Sequence, residues 1–93
     1  MSLSDATRIR VSPDVLFQEV NGETVLLDLA SEQYFGLDAV GTVAWGVLEA
    51  GGDLGTAVET LLQRFEVDRR TARADLEKLL DELAGAGLVA IES

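Results

Sequence analysis

The side chains that carry most covalent and metal chemistry are missing from this sequence. Its 93 residues hold no cysteine and no histidine. That removes disulfides, thiolate zinc sites, imidazole ligands and the common nucleophile–base pairs together. Seventeen Asp and Glu residues remain, but their spacing sets up no catalytic pair. The glycines form no phosphate loop. The expectation is a chain that is not an enzyme and takes no cofactor and no metal. Two places are left for noncovalent chemistry. Arg64, Arg69, Arg70 and Arg73 are four of the seven basic residues in a chain of net charge −10. Guanidinium groups so clustered can hold the acidic side chains of a bound segment. They can equally pair with Glu66, Asp68, Asp75 and Glu77 around them, Arg73 and Glu77 standing at i, i+4. The second place is Gln33–Leu37, "QYFGL". It reads as a strand with no charge and no proline, so its backbone can bond to another chain.

The charge narrows the partners. A DNA-binding domain needs a basic face to displace counterions from phosphates. This chain repels nucleic acid at long range, so none is expected. The apolar fraction, 47%, suits one globular domain and is too high for disorder. No apolar run approaches the roughly 20 residues of a membrane span. The segment Met1–Arg10 has no signal-peptide core, which makes a cytoplasmic location the default.

The elements that must position these groups follow from pattern. Residues 1–12 are polar and read as a flexible N-terminal segment, with a single domain over 13–93. "VLFQEV" (Val15–Val20) and "ETVLLDL" (Glu23–Leu29) flank Asn21-Gly22, a strong hairpin signal because a type I′ turn needs positive φ at both central residues. A two-residue loop pairs Val20 with Glu23, Gln18 with Val25 and Leu16 with Leu27. Leu16, Gln18, Val20, Val25, Leu27 and Leu29 then share one face. Val15, Phe17, Glu19, Thr24, Leu26 and Asp28 share the other. Both faces are partly apolar; one packs on helices and the second calls for a dimer contact or a partner. Gln33–Leu37 returns as a third strand, in a register that the sequence leaves open.

Three helices follow, capped by Asp38, Asp53 and Asp68. Val40, Val43, Ala44, Val47 and Leu48 give the first an apolar stripe, with Trp45 on its flank. Leu54, Ala57, Val58, Leu61, Leu62 and Phe65 mark the inward side of the second. Ala72, Leu76, Leu79, Leu80 and Leu83 do so for the third. Leu88, Val89 and Ile91 form a short closing strand or a packed tail. The fold class is α+β, a winged helix-turn-helix with a three-stranded antiparallel meander followed by three helices. In that meander Gln33–Leu37 is an edge. Edges are usually blunted by Lys, Pro or a bulge; this one is bare. Either the C-terminal segment or a second copy covers it, or it captures an extended peptide.

The stretches "LLDLASEQYFGLDAVGTVAW" and "GGDLGTAVETLLQRFEVDRRTARADLEKLLDELAGAGLV" resemble the PqqD-like family, the leader-peptide recognition domains of ribosomally made natural products. The resemblance rests on a Leu-Leu-Asp strand, a Tyr-Phe-x-Leu strand, a capped helix carrying Trp, a Phe-x-Val-Asp helix join and a closing Gly-Leu-Val. It spans about Val15 to Val89. Asp38 stands where many members have Asn. The resemblance implies a non-catalytic adaptor that adds a precursor's leader as an antiparallel strand to Gln33–Leu37 and hands it to a modifying enzyme or leader peptidase. It puts main-chain contacts at Gln33, Tyr34, Phe35, Gly36 and Leu37, and the helix side of the cleft at Arg69, Arg73, Leu76 and Leu80. The Tyr-Phe-Gly-Leu strand resembles the free-standing lasso-peptide type. The alternatives are a precursor-binding chaperone of pyrroloquinoline quinone biosynthesis, a winged-helix transcription regulator reading DNA through the third helix, and a homodimer joined through the bare strand.

Overall fold

The computed structural model describes residues 3–92. Met1 and Ser2, from the expected N-terminal segment, and Ser93, from the expected domain, lie outside the described residues. Five strands and three helices follow in the order β1 (Arg8–Val11), β2 (Val15–Val20), β3 (Glu23–Asp28), β4 (Gln33–Leu37), α1 (Ala39–Glu49), α2 (Leu54–Arg64), α3 (Arg69–Gly85) and β5 (Val89–Glu92). The expected α+β meander and three helices are present, with β3 central in the order β2-β3-β4. Asn21 and Gly22 both take positive φ, 54° and 81°, as the two-residue turn requires. The β2–β3 register is the expected one, Val20 opposite Glu23 and Leu16 opposite Leu27.

The sequence leaves residues 1–12 loose, and the structure differs there, while the short closing strand offered for the C-terminus is present as β5. Arg8–Val11 pairs antiparallel with Val89–Glu92 as a separate two-stranded ribbon. Ile9 and Val89 are buried in it, and alternation across so short a ribbon is too brief a pattern to stand out in the sequence. The Thr7 carbonyl accepts the Leu54 amide at 2.7 Å, and the Asp5 carbonyl accepts that of Gly55 at 2.9 Å. The N-terminal segment is thereby tied to the start of α2.

The core lies between the inner face of the meander and the helices. Leu26, Leu54, Ala57, Leu61 and Leu83 are fully enclosed. Helix α1 is turned about one residue from its apolar stripe. Gly41, Thr42, Ala44, Trp45 and Leu48 are buried, while Val40, Val43 and Val47 are only partly so. The reason is close approach. A Cβ on Gly41 would lie 3.3 Å from the Leu37 Cβ, so glycine lets α1 sit tightly against the end of β4. Trp45, expected on the flank, is buried with its ring edge-on to Phe17 at 5.4 Å. Counting apolar residues alone misses a face built from Gly, Thr and Ala.

Candidate functional site: an open strand edge beside helix α3

Strand β4 is pinned at both ends by its own neighbours. At the start, the buried Asp28 carboxylate accepts the Ala30 amide at 3.1 Å and the Ser31 hydroxyl at 2.8 Å. These bonds shape the Leu29–Glu32 loop, and Glu32 closes it at φ 59°. Asp and Ser make such local turns readily. At the far end, Asp38 caps α1 by accepting the Gly41 amide at 2.8 Å. Buried Thr24 donates to the Thr42 hydroxyl at 2.9 Å, and that hydroxyl reaches the Leu37 carbonyl at a longer 3.4 Å. A hydroxyl relay so joins β3, α1 and the end of β4.

The register decides which backbone groups are free. A two-residue hairpin closes on a hydrogen-bonded pair, here Val20 and Glu23, and bonded and unbonded pairs then alternate. Glu23, Val25 and Leu27 therefore bond to β2, leaving Thr24, Leu26 and Asp28 to bond to β4. Their partners are Leu37, Phe35 and Gln33. The amides and carbonyls of Tyr34 and Gly36 are left pointing away from the sheet. Strand β5 lies on β1, so no strand covers this edge among the described residues, and the reading of a C-terminal cover does not hold.

Beside the edge, a cleft of about 440 Å³ opens between β4 and α3. Gly36 and Leu37 line it from β4, Ala72, Leu76 and Leu79 from α3, and Leu61 and Val67 from α2 and the α2–α3 join. Asp38, Asp75, Lys78 and Glu82 bring the charge to it. Helix α3 is set by its cap, Asp68, which accepts the Thr71 amide at 2.7 Å. That amide bond, followed by the Thr71 hydroxyl, lowers the Asp68 pKa below its ordinary 3.8. Asp53 at the head of α2 is lowered in the same way, first by the Thr56 amide and then by its hydroxyl.

The residues singled out in the sequence divide. Gln33 and Gly36 are exposed on β4, Leu37 is buried at its end, and Leu76 lies within the cleft. Tyr34 is 71% exposed on the outer face of the sheet. Phe35, opposite Leu26, turns inward and packs against the core. That fixes the orientation which the sequence left open. Leu80 is 1% exposed and buried in the core; it does not line the cleft. The arginines are engaged elsewhere. Arg69 pairs with Glu59 on α2 at 2.5 Å. Arg73 binds the Leu3 carbonyl and the Asp5 carboxylate and lies 3.6 Å from Glu77. They brace α3 against α2 and the N-terminal segment. The cleft face is the neighbouring one, Ala72, Asp75, Leu79 and Glu82, which recur at helical spacing. That spacing was visible in the sequence; the rotation of the helix about its axis was not.

The chain is similar to known proteins in sequence and in fold. The sequence profile described as "Coenzyme PQQ synthesis protein D (PqqD)" matches residues 23–89. No curated protein matches the chain. Among solved structures, the chain is similar to TbiB1 in complex with the TbiA(beta) leader peptide, with TM-score 0.81 and 38% identity over 86% of this chain and 93% of that one. It is similar in fold to a lasso peptide synthetase B1 complexed with its leader peptide, with TM-score 0.81 and 24% identity over 89% of this chain and 98% of that one. No helix among the described residues is long and apolar enough to cross a membrane.

Proposed function

This chain belongs to the PqqD family, and on that premise we propose that it is a non-catalytic adaptor of the lasso-peptide type which captures the leader of a ribosomal precursor. The leader adds as an antiparallel strand to β4 and lies along the cleft toward α3. The carrying observation is the unpaired edge at Tyr34 and Gly36 next to an apolar cleft. Main-chain bonds there give affinity without regard to sequence, and the cleft reads the alternate side chains. That TbiB1 was solved with a leader peptide supports the reading.

The adaptor then presents the leader to a modifying enzyme or leader peptidase. The surface left for that enzyme is the outer face of the sheet. Leu16, Val20, Val25, Leu29 and Tyr34 are 43–71% exposed there, and a leader strand on β4 would widen the same sheet by one strand. Apolar patches of this kind mark interaction surfaces.

The test takes as its labelled peptide the leader of any short precursor found encoded beside this gene. Micromolar or tighter binding is expected, with the Tyr34 and Gly36 amides shifted and protected in ¹⁵N spectra. Amide changes confined to other elements would refute the docking mode. For the second surface, Val25→Lys should keep leader affinity and lose stimulation of the enzyme. Unchanged stimulation would remove the outer face from the reading. Light scattering that shows a dimer, broken by the same substitution, would assign the face to a second copy instead.

A further inference from the structure

The arginine cluster suggests an acidic guest, but the cleft carries the opposite charge. Two acids of α3, Asp75 and Glu82, line it together with Lys78 of the same helix, and Asp38 lies on the β4 side. Three acids against one lysine leave it net negative. Asp75 and Glu82 are exposed, and neither takes part in an ion pair among the described residues. Between them in sequence stand Leu76, Lys78 and Leu79, and the two leucines line the space together with Leu37, Leu61 and Val67.

We infer that the guest strand is read by charge as well as shape: it places an apolar side chain in the cleft and basic side chains at the cleft-facing positions on either side. The inference rests on the docking mode proposed above and adds the class of segment it selects. Strand geometry supports the spacing. An added strand turns alternate side chains to the cleft, so the neighbours of the apolar anchor stand two residues away, about 6.8 Å each way. The span between them is about 13.6 Å. Asp75 and Glu82 are seven residues apart on α3, a rise of about 10.5 Å. Lys and Arg side chains reach across that difference. An acidic guest residue at either position meets like charge instead. The arginines offer no compensation: none of the four lines the cleft, and Arg69 and Arg73 are held by Glu59, Asp5 and Glu77.

Exposed ion pairs are worth about 1.4- to 5-fold in affinity each, so two give about 2- to 25-fold. The probe is a phage-displayed library of random dodecapeptides, panned on the wild type and on Asp75→Lys/Glu82→Lys. A Glu23→Lys/Glu49→Lys variant carries the same charge change away from the cleft and controls for the overall field. The wild type and the control should both enrich Lys or Arg two residues from an aromatic or aliphatic anchor. The cleft variant should enrich Asp or Glu at those positions. Swapping the basic residues of a selected peptide for Glu should weaken it about tenfold or more at low salt, and the gap should close near 1 M salt, where the screening length falls to about 3 Å. A charge-blind or acidic wild-type pool, or the same pool on the cleft variant, would overturn the charge reading and leave the docking mode standing. Selected peptides that bind a Gly36→Pro variant undiminished would overturn the docking mode, and the charge reading with it.

Discussion

A proline at Gly36 separates the edge from the fold. The Gly36 amide points away from β3, so replacing it removes no bond of the sheet. Proline is tolerated on an edge strand when its missing amide faces solvent. The residue before it must be extended, and Phe35 already is, within β4. A side-chain carbon at Gly36 meets nothing within 4 Å. The free protein should therefore keep its helical signal and nearly all its stability. The complex should not. The guest carbonyl that faced the amide loses its donor while staying partly buried, at about 1–3 kcal/mol. At 1.4 kcal/mol per factor of ten, that is about 5- to 150-fold in Kd.

Two companions make the result interpretable. Gly36→Ala keeps the amide and adds its methyl in open space, so leader affinity should stay within about twofold. Phe35→Pro removes an amide that bonds to Leu26 and should collapse the β3–β4 ladder. Phe35→Asp fails in the same way, because it places a charge against the core; loss of binding in that variant says nothing about the edge. Anisotropy with the labelled leader gives the affinities, and thermal melts followed by circular dichroism give the folds. A folded Gly36→Pro protein with leader affinity within twofold of wild type would refute the alternation argument and the strand-addition mechanism together.

Other expectations follow from the placement of single residues. Leu80→Ala should destabilise by about 2–5 kcal/mol in urea denaturation, as a buried leucine does, while the folded fraction keeps its leader affinity; Leu79→Ala should reverse that balance, because Leu79 lines the cleft. Arg73→Ala should lower stability by about 1–2 kcal/mol through loss of its bonds to Leu3 and Asp5, with Kd for the leader unchanged by titration. Asp53 and Asp68 titrate below their ordinary 3.8 in the folded state. As pH falls, the unfolded chain therefore takes up these protons first. The stabilisation they give is complete above their unfolded pKa and is lost as pH drops through the lowered folded values. Asp53→Asn/Asp68→Asn should flatten the stability–pH curve in that acid window, and a curve parallel to wild type would contradict the assignment.

The meander was legible because its devices are local. Asn21-Gly22 fixes the hairpin, and the hairpin fixes the β2–β3 register. Asp38, Asp53 and Asp68 each precede a helix, and each accepts an amide three residues on. What depends on packing was not legible. Register across β3–β4 hangs on a four-residue loop shaped by Asp28, whose carboxylate could as well have faced solvent. The rotation of α1 depends on Gly41 fitting against Leu37, a contact between elements that no stripe count contains. The same limit governs α3. Arg69 and Arg73 lie next to the cleft face in sequence, and a turn of about 100° separates bracing from binding. The pairing of Arg73 with Glu77 at i, i+4 is the one the sequence offered, but the other partners, Glu59 and Asp5, stand 10 and 68 residues away. Charge alone could not reveal that two of the four arginines, Arg69 and Arg73, were already engaged.

The bare edge poses one remaining physical question, since an uncharged strand with two outward amides should pair with its own copy. Strand β2, at the other edge, has the usual protection in Pro13, Asp14 and Glu19. At β4 the groups that can oppose self-pairing lie not in the strand but around it, in Asp38, Asp75 and Glu82. Two copies meeting edge to edge along β4 would bring Asp38, Asp75 and Glu82 of each together, in a chain that already carries net charge −10. Like charges at an interface oppose wrong pairings, and at physiological salt the repulsion acts over about 8 Å, more than the roughly 4.8 Å between neighbouring strands. A basic guest meets attraction at the same positions. One set of acids can therefore select the guest and keep the edge free for it. Asp75→Asn/Glu82→Gln should then both weaken a basic guest and raise self-association in sedimentation runs. Were the variant to remain monomeric at every concentration, protection would have to lie in the geometry of the strand itself.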